Sequence, residues 1–263
     1  MKGARVLVVA LGLLLAWEAL VRVTAVPPFI LPAPLAVTIQ IVSQAELLLH
    51  HGWITAVEIL LGLFFGTLVG MASALLIVAS RPARAWLMPL LVISQALPVF
   101  ALAPLLTLWF GYGLASKVVM AGLIIYFPVA AAFADGLRRC DPGLIDLARV
   151  MGASRRTILL HLRIPAALPA LASGLRVAAA TAPIGAVVGE WVGSSRGLGY
   201  LMLHANARLQ VDLMFAALAL LATFSLILYF TLDAVLRRLT AWQPESDSDS
   251  AAGFSLSSRK ESL

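Results

Sequence analysis

Six long stretches of apolar residues run along the chain. They lie at about 4–23, 55–79, 87–109, 115–135, 170–192 and 213–236. A helix needs about 20 mostly apolar residues to cross the hydrocarbon core of a bilayer. The pattern therefore predicts six transmembrane helices. The first stretch follows Lys2 and Arg5, as the apolar part of a signal peptide would. It is long, however, and no small-residue cleavage site follows it, so we expect that it is not cleaved and forms the first transmembrane helix.

Two features interrupt this pattern, and a third ends it. Prolines break the segment between the first two spans, and its later part could lie as an amphipathic helix on the outer surface. Pro98 and Pro104 are expected to kink the third span. The serine-rich, acidic segment 243–263 is too polar to fold alone and predicts a disordered cytoplasmic tail after a transmembrane domain at 1–242.

Composition supports an all-α polytopic membrane protein. Hydrophobic residues make up 61% of the chain and charged residues 12%, whereas soluble domains have about 45–50% and about 25%. The net charge of +6 could indicate nucleic acid, but the basic residues sit at the ends of apolar spans, so no nucleic-acid partner is expected. The single cysteine, Cys140, excludes an intrachain disulfide and a cysteine-based zinc cluster.

The basic residues predict the orientation of the spans. With both termini in the cytoplasm, 15 of the 19 lysines and arginines lie inside or at the inner edge of the membrane. Positive loops stay on the cytoplasmic side. The four that lie outside are Arg22, Lys117, Arg196 and Arg208.

The loop at about 137–168, between spans four and five, carries the densest positive charge. Pro142 is placed to open a short helix, and Gly152 fits the left-handed position that ends one. Ser154 is a plausible N-cap for a second short helix, which should stop before Pro165. The sequence therefore predicts a helix, a glycine turn and a helix on the cytoplasmic side.

This loop admits two interpretations. It could only orient the protein through its positive charge. It could also dock another protein, because a loop surrounded by water would leave the apolar side chains of Leu147 and Val150 exposed.

The spacing of the loop resembles the cytoplasmic signature of permease subunits of binding-protein-dependent ABC importers. That signature reads E-A-A, three residues, Gly, nine residues, then I-x-L-P. Three positions match it directly and four carry conservative replacements. The seven positions are Asp146, Leu147, Ala148, Gly152, Leu162, Ile164 and Pro165.

The resemblance implies the type I ABC importer permease fold, with about six transmembrane helices, in a bacterial inner membrane. It further implies a permease homodimer, a pair of ATPase subunits and an extracytoplasmic solute-binding protein. The loop would enter a groove on the ATPase as a coupling helix. Asp146 is one methylene shorter than the usual glutamate, which puts an ion pair to the ATPase in doubt. The coupling residues implied are Asp146, Ala148, Gly152, Leu162, Ile164 and Pro165.

The chain should bind no cofactor of its own. None of its three lysines follows a G-x-x-x-x-G run, so it has no phosphate-binding P-loop. An importer built on this chain must therefore take its ATP on a separate subunit, and the chain itself is expected not to be an enzyme.

The solute is suggested by resemblance alone. The chain resembles the branch of permeases for nitrate, aliphatic sulfonates, taurine and thiamine precursors. Residues 97–113 and 189–218 look most like permeases for hydroxymethylpyrimidine-type thiamine precursors. Sulfonates, taurine, nitrate and riboflavin remain as alternatives.

Polar residues and helix breaks inside the spans are candidates for the solute path, because such groups usually face a protein interior or a pathway. The carboxylates could instead reach the membrane interfaces, and the tryptophan could be an interfacial anchor. The candidates are Glu58, Gln95, Pro98, Glu190 and Trp191.

One enzyme motif is present. The pentapeptide at 193–197 fits the G-x-S-x-G nucleophile pattern around Ser195, with His204 nearby. It lacks the strand that this motif needs, so a glycine-rich turn is favoured over a membrane serine hydrolase. His50, His51 and His161 have no ligand partners at metal-binding spacing and are expected to be lone surface histidines.

Overall fold

The computed structural model describes the backbone of residues 2–242 and their side chains except those of residues 2–7 and Ala10. Every regular element in this part is helical. The elements are α1 (Lys2–Thr24), α2 (Pro34–Ser43), α3 (Ala45–Ala79), α4 (Arg81–Ala96), α5 (Val99–Phe110), α6 (Leu114–Arg138), α7 (Pro142–Val150), α8 (Arg155–Ile158), a π-helical turn (Leu159–Arg163), α9 (Ile164–Gly193), α10 (Leu198–Ala207) and α11 (Val211–Leu239).

Four helices of the described chain are long and apolar enough to cross a membrane. They are α3, α6, the continuous helix 155–193 and α11. The first predicted span lies within α1, which is not among these four. The tail at 243–263 lies outside the described residues.

The third predicted span, 87–109, is wrong as a single helix. It is divided into α4 and α5, which meet at 106° around Leu97 and Pro98. Pro98 cannot donate a backbone hydrogen bond to α4. It adopts an extended conformation and directly precedes the first residue of α5. The predicted kink is therefore a complete break, and the pair is a broken span or a re-entrant loop.

Helix α6 lies at the centre of the bundle, between α3 and α9. Helix α3 runs parallel to it and approaches closely through three glycines spaced four residues apart. A methyl group on Gly62 would lie 2.5 Å from Ala121, and one on Gly66 would lie 2.9 Å from the carbonyl oxygen of Gly122. Small residues let membrane helices approach this closely. Close packing matters there because the hydrophobic effect does not drive helices together inside a bilayer.

Helix α9 also packs against α6, in the opposite direction. Its Gly174 faces the backbone of Pro128, and its Gly185 faces Ala121. Alanines continue this contact, and alanine is the commonest residue of the buried core, to which α2, α10 and α11 also contribute.

The prediction that the second short helix stops before Pro165 is wrong. Helix continues from Arg155 to Gly193, and Pro165 lies in the first turn of α9. The π-helical turn at Leu159–Arg163 precedes it. A π turn changes the backbone pairing locally, so a proline without an N–H group is accommodated after it.

Candidate functional site

The segment 139–163 forms a compact projection at the end of the bundle where α3 and α6 end. We call this the basic end, and we call the projection the knob. Helix α7 starts as predicted: Pro142 occupies its first turn, and the Asp141 carboxylate accepts a hydrogen bond of 2.8 Å from the Gly143 N–H. An aspartate at this position satisfies a backbone donor that the helix leaves free.

The turn that follows α7 has the predicted glycine geometry. Gly152 has φ +81°, and a side chain there would meet open space, so backbone conformation alone favours glycine. The Ala153 N–H donates to the Ala148 carbonyl at 2.9 Å, as in a glycine-terminated helix. The Ser154 hydroxyl then accepts from the Thr157 N–H at 3.1 Å and caps α8.

The inner face of the knob has its own small core. Cys140, Ile145 and Ile158 are buried together, and Ala148 and Leu162 pack against them. This core fixes α7 against α8, so that the knob is a preformed unit of the protomer.

The outer face of the knob is apolar and exposed. We call it the knob face, and its members are Leu144 (50% exposed), Leu147 (57%), Val150 (87%) and Met151 (78%). Adjacent apolar side chains at this exposure are typical of a surface that another protein covers.

The six implied coupling residues occupy different environments. Asp146 is exposed and forms an ion pair of 2.8 Å with Arg149, one turn along its own helix. Ala148 and Leu162 belong to the small core of the knob, and Ile164 packs on the main core of the bundle. Pro165 is exposed in the first turn of α9, as Gly152 is in its turn.

A second group of polar residues is buried near the opposite end of the bundle. Glu58 on α3 and Glu190 on α9 are each 1% exposed. Lys117 on α6 connects the neighbouring elements. Its Nζ is 3.2 Å from Glu58 Oε1 on α3 and donates to the Ser194 hydroxyl, after α9, at 2.7 Å. This group therefore links three helices and the turn after α9.

Glu190 holds the start of α10. Its carboxylate accepts hydrogen bonds from the Thr55 hydroxyl (2.6 Å), the Gly199 N–H (2.5 Å) and the Tyr200 N–H (3.2 Å). The free N–H groups of a first helical turn favour an anion at this place. A side chain on Gly197 would collide with the Glu190 carboxylate, and its φ of +113° also requires glycine.

Two side chains of α3 complete the group. His51 Nδ1 accepts from the Gly197 N–H at 3.0 Å, and the Thr55 hydroxyl accepts from the Leu198 N–H at 2.7 Å. The expectation of a surface position for His51 is wrong, because it is only 8% exposed. We call His51, Thr55, Glu58, Lys117, Glu190 and Ser194 the buried polar cluster.

The five predicted path residues do not form one site. Glu58 and Glu190 lie inside the protomer and have their partners there. Gln95 and Pro98 are exposed at the break between α4 and α5, and Trp191 is 46% exposed. An apolar cavity of about 840 Å³ between α3, α5 and α6 is lined by none of the five.

Sequence reasoning missed His51, Thr55, Lys117 and Ser194. One signal was available, because Lys117 is a charge near the start of a predicted span and such charges usually have partners. Nothing in the sequence identified its partners, since Glu58 lies on α3 and Ser194 in the turn after α9.

Residues 193–197 form the predicted glycine-rich turn and not a nucleophile site. Ser195 is exposed, and its side chain has no hydrogen bond within the described chain. Among residues 2–242 no three histidine, cysteine or acidic side chains come together as metal ligands.

Comparison with known proteins agrees with this architecture. Residues 62–241 match the family described as "Binding-protein-dependent transport system inner membrane component". A structure titled as inward-facing conformations of the MetNI methionine ABC transporter is similar, with a TM-score of 0.66 and 24% identity over 75% of this chain and 98% of that one.

Three curated relatives cover most of the chain. A probable ABC transporter permease protein of Haemophilus influenzae is 59% identical over 86% of this chain and 92% of its own. The formylaminopyrimidine transport permease protein ThiX of Halalkalibacterium halodurans is 32% identical over 89% and 93%. The riboflavin transport system permease protein RibX of Chloroflexus aurantiacus is 37% identical over 88% and 87%.

Proposed function

The chain belongs to the family of binding-protein-dependent transport system inner membrane components, and on that premise we propose its docking surface, orientation and solute. It is the permease subunit of an ABC importer, a membrane-embedded transport component and not an enzyme. An importer of this class works with an ATPase and a solute-binding protein.

The proposed docking surface is the knob face. The single observation that carries this proposal is the exposure of Leu144, Leu147, Val150 and Met151 on a preformed helix–turn–helix unit. Burying them in a groove of the ATPase would remove apolar surface from water. Movement of the ATPase would reach the bundle directly, because α8 continues without a break into α9.

Replacing Val150 with aspartate tests this docking. The permease is produced together with its ATPase, and co-purification in detergent is measured. We expect Val150→Asp to lose the ATPase, because a charge would enter an apolar contact. The matched control is Leu209→Asp, 74% exposed at the opposite end, where φ is +58° and aspartate is tolerated. Equal recovery of the ATPase with both variants would contradict the proposal.

The remaining assembly is proposed from the same premise. Two copies of the chain form the pore, two ATPase subunits bind ATP, and the solute-binding protein docks on the extracytoplasmic side. The membrane is the bacterial inner membrane, and both termini and the knob lie in the cytoplasm, since the basic residues collect at that end.

Gln95 and Pro98 are the path candidates that the structure supports best. Both are exposed at the 106° break between α4 and α5, and non-helical backbone at membrane depth is tolerated where it lines a cavity or is covered by protein. Glu58 and Glu190 have internal partners, so we assign them to holding the protomer together.

The proposed solute is a hydroxymethylpyrimidine-type thiamine precursor. The resemblance of residues 97–113 and 189–218 and the similarity to ThiX support it. The similarity to RibX supports riboflavin as the second candidate.

Uptake by cells that carry the whole transporter distinguishes these two solutes from each other and from taurine. Cells with the permease gene deleted, and the same cells with the gene restored, are given labelled hydroxymethylpyrimidine, riboflavin or taurine. We expect restoration to return uptake of the pyrimidine alone. Return of riboflavin or taurine uptake instead would overturn this solute and leave the importer assignment intact.

A further inference from the structure

A cavity of about 720 Å³ lies at the basic end, between the knob and the bundle. It is bounded by the last turn of α3, the start of α4, and helices α7 and α8 with the π turn that follows. Its polar lining consists of five arginines: Arg81, Arg149, Arg155, Arg156 and Arg163. No acidic side chain lines it.

Most of this positive charge is uncompensated. Arg149 pairs with Asp146, but within residues 2–242 no carboxylate oxygen lies within 4 Å of the other four guanidinium groups. The Nε of Arg163 is buried and has no acceptor there. A buried donor without a partner is costly, and several like charges around one cavity repel each other, so an anion placed among them would be stabilised.

The chemistry of the lining favours a phosphate group. Arginine presents a planar fork of N–H donors that matches phosphate oxygens in pairs. Five such groups on four elements surround the cavity, so one or two phosphates could be contacted from several sides.

The position of the cavity favours a lipid as the source of that phosphate. Val78 and Ala79 line it, and they end α3, a membrane-spanning helix. Ile145, Ile158 and Leu159 add apolar surface beside the arginines. A phospholipid has the same combination, a charged phosphate next to apolar chains, and basic pockets between membrane helices bind anionic headgroups.

We propose that this cavity binds the headgroup phosphate of an anionic glycerophospholipid such as phosphatidylglycerol. The proposal uses the cytoplasmic orientation of the knob and is otherwise independent of the transported solute. It also differs from the docking surface, because the knob face carries Leu144, Leu147, Val150 and Met151, and none of these lines the cavity. A lipid held there would lie between the knob and the membrane and would fix their relative position.

The test measures lipid binding to the full-length permease in detergent by native mass spectrometry. Dioleoyl phosphatidylglycerol is compared with dioleoyl phosphatidylcholine, which has the same chains and no net charge. The cavity variant is Arg155→Gln/Arg156→Gln. The control is Arg84→Gln/Arg139→Gln, which removes the same charge from exposed positions at the same end that do not line the cavity. A further variant, Arg81→Gln, tests the cavity from α4.

We expect the native chain and the control to prefer phosphatidylglycerol by about 10-fold or more, and the cavity variant to lose most of that preference. Arg81→Gln should weaken it by about 5-fold, as expected for one arginine near a membrane surface. Thermal unfolding of each variant without added lipid shows whether it is folded. Excess inorganic phosphate should compete weakly, since it lacks the apolar chains.

Four results would overturn the proposal. Equal loss in the cavity variant and the control would indicate diffuse surface charge. Complete displacement of the lipid by inorganic phosphate would indicate a site for a free anion. Full preference in folded cavity variants would show that these arginines do not hold the lipid. Full lipid preference with loss of ATPase co-purification would show that they contact the ATPase. Failure of the docking proposal leaves this binding measurement unchanged.

Discussion

The ion pair between Lys117 and Glu58 shows how one protomer can hold charge inside a membrane protein. Lys117 is 6% exposed and Glu58 is 1% exposed, so neither side chain is hydrated by bulk water. The desolvation cost of each charge is offset by its partner, and the Ser194 hydroxyl accepts a further hydrogen bond from the ammonium group. Removal of one partner should therefore do more harm than removal of both.

We predict that Lys117→Met destabilises the protein by about 3–5 kcal/mol, because it leaves the Glu58 carboxylate buried without its cation. The measurement is thermal or denaturant-induced unfolding of the purified protein in detergent. The double variant Glu58→Gln/Lys117→Met, which removes both charges, should recover much of that loss. A double variant less stable than Lys117→Met would contradict the pairing.

At this scale the sequence correctly predicted the structural roles of some residues. Gly152 and Ser154 perform the local roles that their types suggest, since φ and capping depend only on neighbouring residues. The surface position predicted for His51 is wrong, because its partner is the Gly197 N–H, which is 146 positions away in the chain.

At the scale of elements, the contact between α3 and α6 depends on glycines, which have no side chain to hold the two helices apart. The run "GLFFGTLVG" at 62–70 places three glycines on one face of α3. Such a pattern is a sequence signal for close helix packing in membranes. Its partner surface on α6 could not be identified without the structure.

We predict that Gly66→Ala weakens this contact by about 1–3 kcal/mol, although alanine is the better helix former. The added methyl carbon would lie 2.9 Å from the Gly122 carbonyl oxygen, and backbone cannot move aside as a side chain can. The temperature of unfolding in detergent measures the effect. Gly122→Ala is the matched control on the facing helix, because its nearest neighbours would be 3.9 Å away. A larger loss in the control than in Gly66→Ala would contradict this account.

Helix breaks show the limit of local rules at the same scale. Pro98 and Pro165 have similar sequence signals, yet one separates two helices at 106° and the other lies within a continuous helix of 39 residues. Proline removes a backbone donor in both places. The difference comes from the surroundings, because the π turn before Pro165 changes the backbone pairing while the rest of α9 packs along α6.

At the scale of the whole molecule, the two ends of the bundle have different chemistry. The basic end carries the knob and the arginine-lined cavity, and the other end carries the buried polar cluster. The knob and the start of α9 are one structural unit, so a force on the knob reaches a helix that contacts α6 over much of its length.

We predict that the knob lies in the cytoplasm and the turn before α11 lies outside. A chain with Cys140→Ala provides a background without thiols, and single cysteines are added as Val150→Cys or Leu209→Cys at exposed positions. In spheroplasts that produce the permease without its ATPase, so that the knob face is uncovered, a membrane-impermeant maleimide should label Leu209→Cys at once and Val150→Cys only after lysis. The reverse pattern would contradict the orientation.

The family, the membrane class and the knob followed from the sequence by itself. Apolar spans, inside-positive charge and the spacing from Asp146 to Pro165 are properties of consecutive residues, so they can be read along the chain. The grouping of Lys117 with Glu58 and Ser194, the grouping of five arginines around one cavity, and the different outcomes at Pro98 and Pro165 were decided only by tertiary structure. The physical reason is that these outcomes depend on neighbours in space. Lys117, Glu58 and Ser194 are far apart in sequence, as Arg81 is from the other four arginines of the cavity, and the packing of α3, α6 and α9 brings them together.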